Sequence, residues 1–174
     1  NVIQNLLNIC DKVLIGGAMA YTFLKAMGKP VGRSLVELDK LDEAGDLMAR
    51  ARQRGLPLML PTDHVVAERL EAGVPVQTLS VDDPAIGDRM GLDIGPATIQ
   101  AYAAALTDAK TVVWNGPMGV FEIEAFAKGT VAVAQAVAEV HGTTIVGGGD
   151  SIAAVKSAGV ADRITHISTG GGAS

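Results

Sequence analysis

Short aliphatic runs in this chain repeatedly stop at clusters of loop-forming residues, and four of those clusters contain glycines: VLIGG (13–17), TVVWNGP (111–117), TTIVGGGDS (143–151) and ITHISTGGGAS (164–174). In a parallel α/β sheet the carboxyl ends of the strands share one edge, and ligands bind in the crevice outside it. Glycines at that edge expose backbone N–H groups, which suits a phosphate better than it suits packing. The pattern predicts a nucleotide site. Helical periodicity between the runs (Ala18 to Met27, Asp39 to Arg54, Pro96 to Leu106, Thr130 to Val140, Ser151 to Ala158) predicts a Rossmann-like α/β domain. It has three layers, a mainly parallel sheet covered by helices on both faces. A further helix is expected over Val2 to Cys10, a short one over Glu122 to Phe126, and a doubly buried strand over Leu56 to Leu60. Residues 62–93, broken by Pro75 and Pro84, carry only short β-like pieces at Val65 to Ala67 and Val76 to Leu79.

Composition sets limits on function. With 174 residues, 48% hydrophobic and 19% charged, one globular domain is expected. A net charge of −5 argues against broad nucleic-acid binding. No apolar run is long enough to span a membrane and no secretory leader is visible, so a soluble, cytoplasmic protein without a membrane partner is expected. Cys10 is the single cysteine and reads as an inert structural thiol.

The strongest chemical cue is Gly147-Gly148-Gly149-Asp150-Ser151, between a strand and a helix. The turn and the helix N-terminus would cradle phosphate. Asp150 would repel a bare phosphate, so its useful role is to hold a bridging Mg2+; it also reads as the helix N-cap, and the two roles can coexist. Next comes Trp114 to Glu122, where Asn115, two glycines and Pro117 form a rigid tip. Val120 and Phe121 could wall a purine there and Glu122 could accept from ribose hydroxyls. Trp114 and Phe121 are equally readable as core. Gly91 to Pro96 and Gly16 to Ala20 offer small residues at adjacent loops, fit to press against a flat base. Neither a P-loop nor a dinucleotide fingerprint is present. His166 is expected in the core and His64 in a loop; neither belongs to a catalytic triad or a zinc ligand set.

In order along the chain, LIGGAMAYTFL, MGLDIGP, TVVWNGPMGVFEIEAFAKGT, IVGGGDS and HISTGGGAS resemble the successive signatures of phosphoglycerate kinases. The resemblance implies the carboxyl-terminal, nucleotide-binding domain (residues 1–174) of a two-domain, monomeric, glycolytic kinase. That enzyme exchanges a phosphoryl group between 1,3-bisphosphoglycerate and ADP, giving 3-phosphoglycerate and ATP, with Mg2+. It implies Gly17, Ala18, Gly91 and Leu92 at adenine, and Asn115, Pro117 and Val120 along base and phosphates. Glu122 falls at ribose, Gly148, Gly149, Asp150 and Ser151 at phosphates, and Asp150 at the metal. Gly170, Gly171 and Gly172 would face the transferring phosphoryl group. Ala18 stands where many family members have a third glycine. The phosphoglycerate partner is expected on an amino-terminal domain outside this chain; a lysine-bearing loop just ahead of Asn1 and a final segment after Ser174 are also expected outside it. None of the chain's lysines or arginines lies in the glycine-rich tips, so the chain is expected to be inactive alone. A non-catalytic nucleotide-binding module is the alternative, and a nicotinamide domain is disfavoured.

Overall fold

A computed structural model describes residues 7–56 and 58–168. Five parallel strands form the main sheet in the order β2-β1-β6-β7-β8: β1 (Lys12–Ile15), β2 (Leu58–Met59), β6 (Thr111–Asn115), β7 (Thr143–Gly147) and β8 (His166–Ser168). Strand alternation divides the core. On β1, Val13 and Ile15 face one helix layer, α1 (Gly17–Ala26) and α2 (Leu41–Gln53), with Phe23, Ala44 and Leu47. Leu14, with Val112, Trp114 and Val146 of the neighbouring strands, faces the other layer. That layer comprises α3 (Pro96–Leu106), α4 (Lys128–Ala138) and α5 (Gly149–Ser157). The three-layer α/β reading holds.

Local chemistry sets the helix ends. Beyond α1, Gly28 sits at φ 80°. Its N–H reaches Lys25 O (2.9 Å) and that of Lys29 reaches Leu24 O (3.0 Å), a Schellman closure that satisfies two terminal carbonyls. Gly55, at φ 64°, ends α2 the same way, with Leu56 N donating to Ala51 O. Acidic Asp42 and Glu43 open α2 while Arg50 and Arg52 close it, matching the helix dipole.

Residues 62–93 hold the feature that sequence patterning did not resolve. A second, antiparallel sheet is built from β3 (Asp63–Ala67), β4 (Val76–Ser80) and β5 (Met90–Ile94), in the order β4-β3-β5. The MGLDI segment, expected as a loop, is therefore a strand. His64, also expected in a loop, is buried in β3, where the Tyr21 hydroxyl lies 2.8 Å from its Nδ1. His166, expected in the core, is exposed on edge strand β8. The strand expected over Leu56 to Leu60 contracts to an edge pair, and the turn at Glu124–Phe126 is a 3-10 helix. The helix expected over Val2 to Cys10 lies mostly outside the described residues, and residues 7–9 form a turn. Burial pushes the half-buried Cys10 thiol up to about 11, so it stays protonated at neutral pH.

Candidate nucleotide site

The chain leaves β1 toward β2 on one side and later fills β6, β7 and β8 on the other. The β1/β6 boundary is thus a topological switch point, where α/β sheets open a crevice. A pocket of about 770 Å3 opens there, within the range of roughly 300–1,000 Å3 usual for small-molecule sites. Gly17, Ala18, Gly91, Leu92, Asn115, Pro117, Val120, Glu122, Gly148, Gly149, Asp150 and Ser151, expected from four separate segments, all line this one pocket. Gly170, Gly171 and Gly172 lie outside the described residues.

At the β7 tip, Gly148 takes φ 92° and is itself the N-cap of α5, with no side-chain cap. The N-cap alternative for Asp150 is therefore wrong. It sits in the first turn, exposed, and makes no hydrogen bond or ion pair with the described residues. Ser151 is buried, and its Oγ accepts from Gly116 N at 2.7 Å, tying the β7 tip to the β6 tip. Beside it, Trp114 is core, with Nε1 donating to Gly116 O at 2.7 Å, which fixes the loop that carries Asn115 and Pro117. Phe121, half-buried, is on the pocket wall.

Several wall residues had no local signal. Leu35 and Leu70 are 68% and 46% exposed, and with Val120 and Phe121 they give one part of the pocket an apolar surface. Leu70 lies between Arg69 and Glu71 and Leu35 between Ser34 and Val36, patterns shared by many surface leucines. Lys40 also reaches the wall, from the connection between α1 and α2, 3.5 Å from Glu37. Among the described residues the wall thus carries four carboxylates (Glu37, Glu43, Glu122, Asp150) against one ammonium, that of Lys40.

Behind Gly91 lies a buried polar assembly. Gly91 N donates to Ser34 Oγ at 2.8 Å, and a Cβ on Gly91 would stand 1.6 Å from Tyr21 Oη. Only glycine leaves room for the Tyr21–His64 pair. Burial, reinforced by the charge of Asp93, raises the Tyr21 hydroxyl, while burial lowers His64 despite nearby Asp63, so both are neutral at physiological pH. His64 Nε2 is buried without a hydrogen-bond partner among the described residues.

The phosphoglycerate kinase family model matches residues 1–174. Phosphoglycerate kinases of Clostridium novyi and Moorella thermoacetica are 58% and 59% identical over the whole chain. That of Pseudothermotoga lettingae is 57% identical over 99% of it. The chain spans 44% of the length of each. Among solved structures, Coxiella burnetii phosphoglycerate kinase aligns over 98% of this chain and 44% of its own, with a TM-score of 0.88 at 42% identity. The Pyrococcus horikoshii enzyme aligns over 98% of this chain and 43% of its own, with 0.77 at 34% identity. With four of its five signature segments meeting at one crevice and its whole length matched by the family model, this chain belongs to the phosphoglycerate kinase family.

Proposed function

We propose that the pocket binds Mg-ADP and Mg-ATP, and that the chain supplies the nucleotide half of a glycolytic kinase acting on 1,3-bisphosphoglycerate and 3-phosphoglycerate. The observation that carries this is the convergence of a base-sized apolar wall and a glycine-built helix N-terminus in one pocket. Gly91 and Gly17 would let a planar base approach backbone, with Leu35, Leu92 and Val120 covering its faces. Glu122 is exposed and suited to ribose hydroxyls. The N–H groups at the start of α5 would receive phosphate oxygens.

Net charge on the wall decides how phosphate is held. Four carboxylates facing one ammonium repel a polyanion, so bare ADP is disfavoured electrostatically. Asp150 has no hydrogen-bond or ion-pair partner among the described residues, and one or two carboxylates plus substrate phosphates is the usual Mg2+ arrangement. The residues fit the ion: Asp150 would hold it, and it would neutralise phosphate charge as transfer proceeds. The chain's own part is to bind, orient and shield the nucleotide. The acceptor, its binding domain and further cations would come from the rest of a two-domain enzyme, and the pocket would close against that domain.

Calorimetric titration tests this reading. Mg-ADP should bind saturably, ADP in excess chelator at least about tenfold more weakly, and NADH not at all. Equal binding of ADP with and without Mg2+ would contradict the assignment of Asp150. Binding of NADH in preference to ADP would contradict the substrate class.

A further inference from the structure

We propose that a cleft lined by Arg33, Arg69 and Arg89, beside the antiparallel sheet, is a second site, for a compact phosphate-bearing anion. Its occupancy is transmitted to the base-binding part of the nucleotide pocket. The cleft, of about 420 Å3, is walled by the three arginines and the turn at residues 85–88. Arg33 donates through Nε to Asp88 O and through Nη2 to Glu68 O (2.7 Å). Arg89 donates through Nε to Ile86 O (3.2 Å), Nη1 to Gln77 Oε1 (2.8 Å) and Nη2 to Ala85 O (2.5 Å). All five acceptors are neutral. Among the described residues no carboxylate lies within ion-pair distance of either guanidinium, whereas Arg69 is paired with Glu68 and Glu71.

Two guanidinium forks are therefore held in place by groups that do not cancel their charge. Each retains N–H donors beyond those spent on the carbonyls and the amide, in the planar geometry that matches a phosphate. Their frame is stiff. Gly32, at φ 55°, has no room for a Cβ, which would stand 2.2 Å from Arg89 O, and Arg33 N donates to Arg89 O at 2.9 Å. Asp83 caps the turn by accepting from Ala85 N at 2.9 Å. Glu68 and Asp88 also border the cleft, so the wall balances three positive groups against two negative ones in a chain of net charge −5. Local charge there opposes that of the whole chain and of the nucleotide pocket.

Connection to the pocket runs through the chain itself. Arg33 precedes Leu35 by two residues, Arg69 precedes Leu70 by one, and Arg89 precedes Gly91 by two; Leu35, Leu70 and Gly91 line the nucleotide pocket. The Gly91 N–H to Ser34 Oγ bond ties two of these segments together between the sites. An anion shared by the arginines draws the three segments together and fixes the spacing of the surfaces offered to the base. This transmission rests on the nucleotide reading of the pocket; anion binding does not.

Backbone-amide NMR of this chain, titrated with inorganic phosphate and separately with glycerol phosphate, tests both parts. Each series is run without nucleotide and with saturating Mg-ADP. Saturable shifts at residues 33, 69 and 87–89 are expected in both series, weakened about fivefold or more in Arg33→Gln and Arg89→Gln, with a change of about twofold or more in Mg-ADP affinity. Tighter binding of the ester would make a phosphate monoester the occupant, and equal binding would make it free phosphate. The site is overturned if no saturable shift occurs at 87–89 up to about 50 mM anion, or if shifts are confined to residues 147–151 and vanish with Mg-ADP. Shifts at 87–89 with unchanged Mg-ADP affinity would overturn the transmission alone. The wild-type map is decisive even if an arginine variant fails to fold.

Discussion

Asp93 is 3% exposed, and two glycines exist beside it because of it: a Cβ on Gly119 would stand 2.5 Å, and on Gly129 2.3 Å, from its Oδ1. Its carboxylate accepts from Ile94 N (2.9 Å) and Gly129 N (3.1 Å). Burial outweighs these bonds and the attraction of Lys128, raising its pKa to about 7. A raised carboxyl pKa means that the folded chain holds a proton the unfolded chain has released. This stability is full below about pH 4 and is lost as pH rises toward about 7. Subtracting the urea-measured stability of Asp93→Asn from that of wild type should therefore give a difference that falls across this window, by on the order of a few kcal/mol. A flat difference would show that Asp93 titrates normally. At the neighbouring position, Gly91→Ala should destabilise by about 2 kcal/mol or more, because Tyr21 Oη would stand 1.6 Å from the new methyl. Thermal unfolding of that variant checks this, and an unchanged midpoint would contradict it.

At the scale of elements, α3 shows how the two sheets are joined. Its N-cap, Gly95, has no side chain to offer, and Asp63 on β3 acts in its place, accepting from Ala97 N (3.0 Å) and Thr98 N (2.9 Å). Gly95 must be small, since a Cβ there would stand 2.3 Å from that carboxylate. Asp63→Ala should cost about 1–2 kcal/mol of stability in chemical denaturation, and a cost below about 0.3 kcal/mol would show that water caps the helix as well. The sequence showed where the parallel strands lie because β1, β6 and β7 are apolar runs that stop at glycine or asparagine. It hid the antiparallel sheet for an equally physical reason. Burial along β4 is confined to Leu79, and β5 carries Gly91 and Asp93, so neither shows alternation. His64 falls in the same unpatterned stretch, and the isoleucines near His166 resemble a core strand although β8 is an edge. Among pocket residues, those at strand tips were legible as motifs. Leu35, Leu70 and Lys40 reach the pocket only through tertiary packing and left no local trace.

For the molecule as a whole, the two sheets divide the work. The parallel sheet supplies the glycine-rich tips where the proposed site would hold phosphate, and the antiparallel sheet carries Gly91, Leu92 and Leu70 to the apolar wall. On the proposed reading, one acidic pocket would take a polyanion only together with a cation. The most direct measurement is a crystal structure of the Mg-ADP complex. In it the base is expected against Gly91, Leu92, Leu35 and Val120, the phosphates at the N-terminus of α5, and Mg2+ on Asp150. A base seated at Gly148–Ser151, or phosphates held away from α5 with Asp150 free of metal, would contradict it.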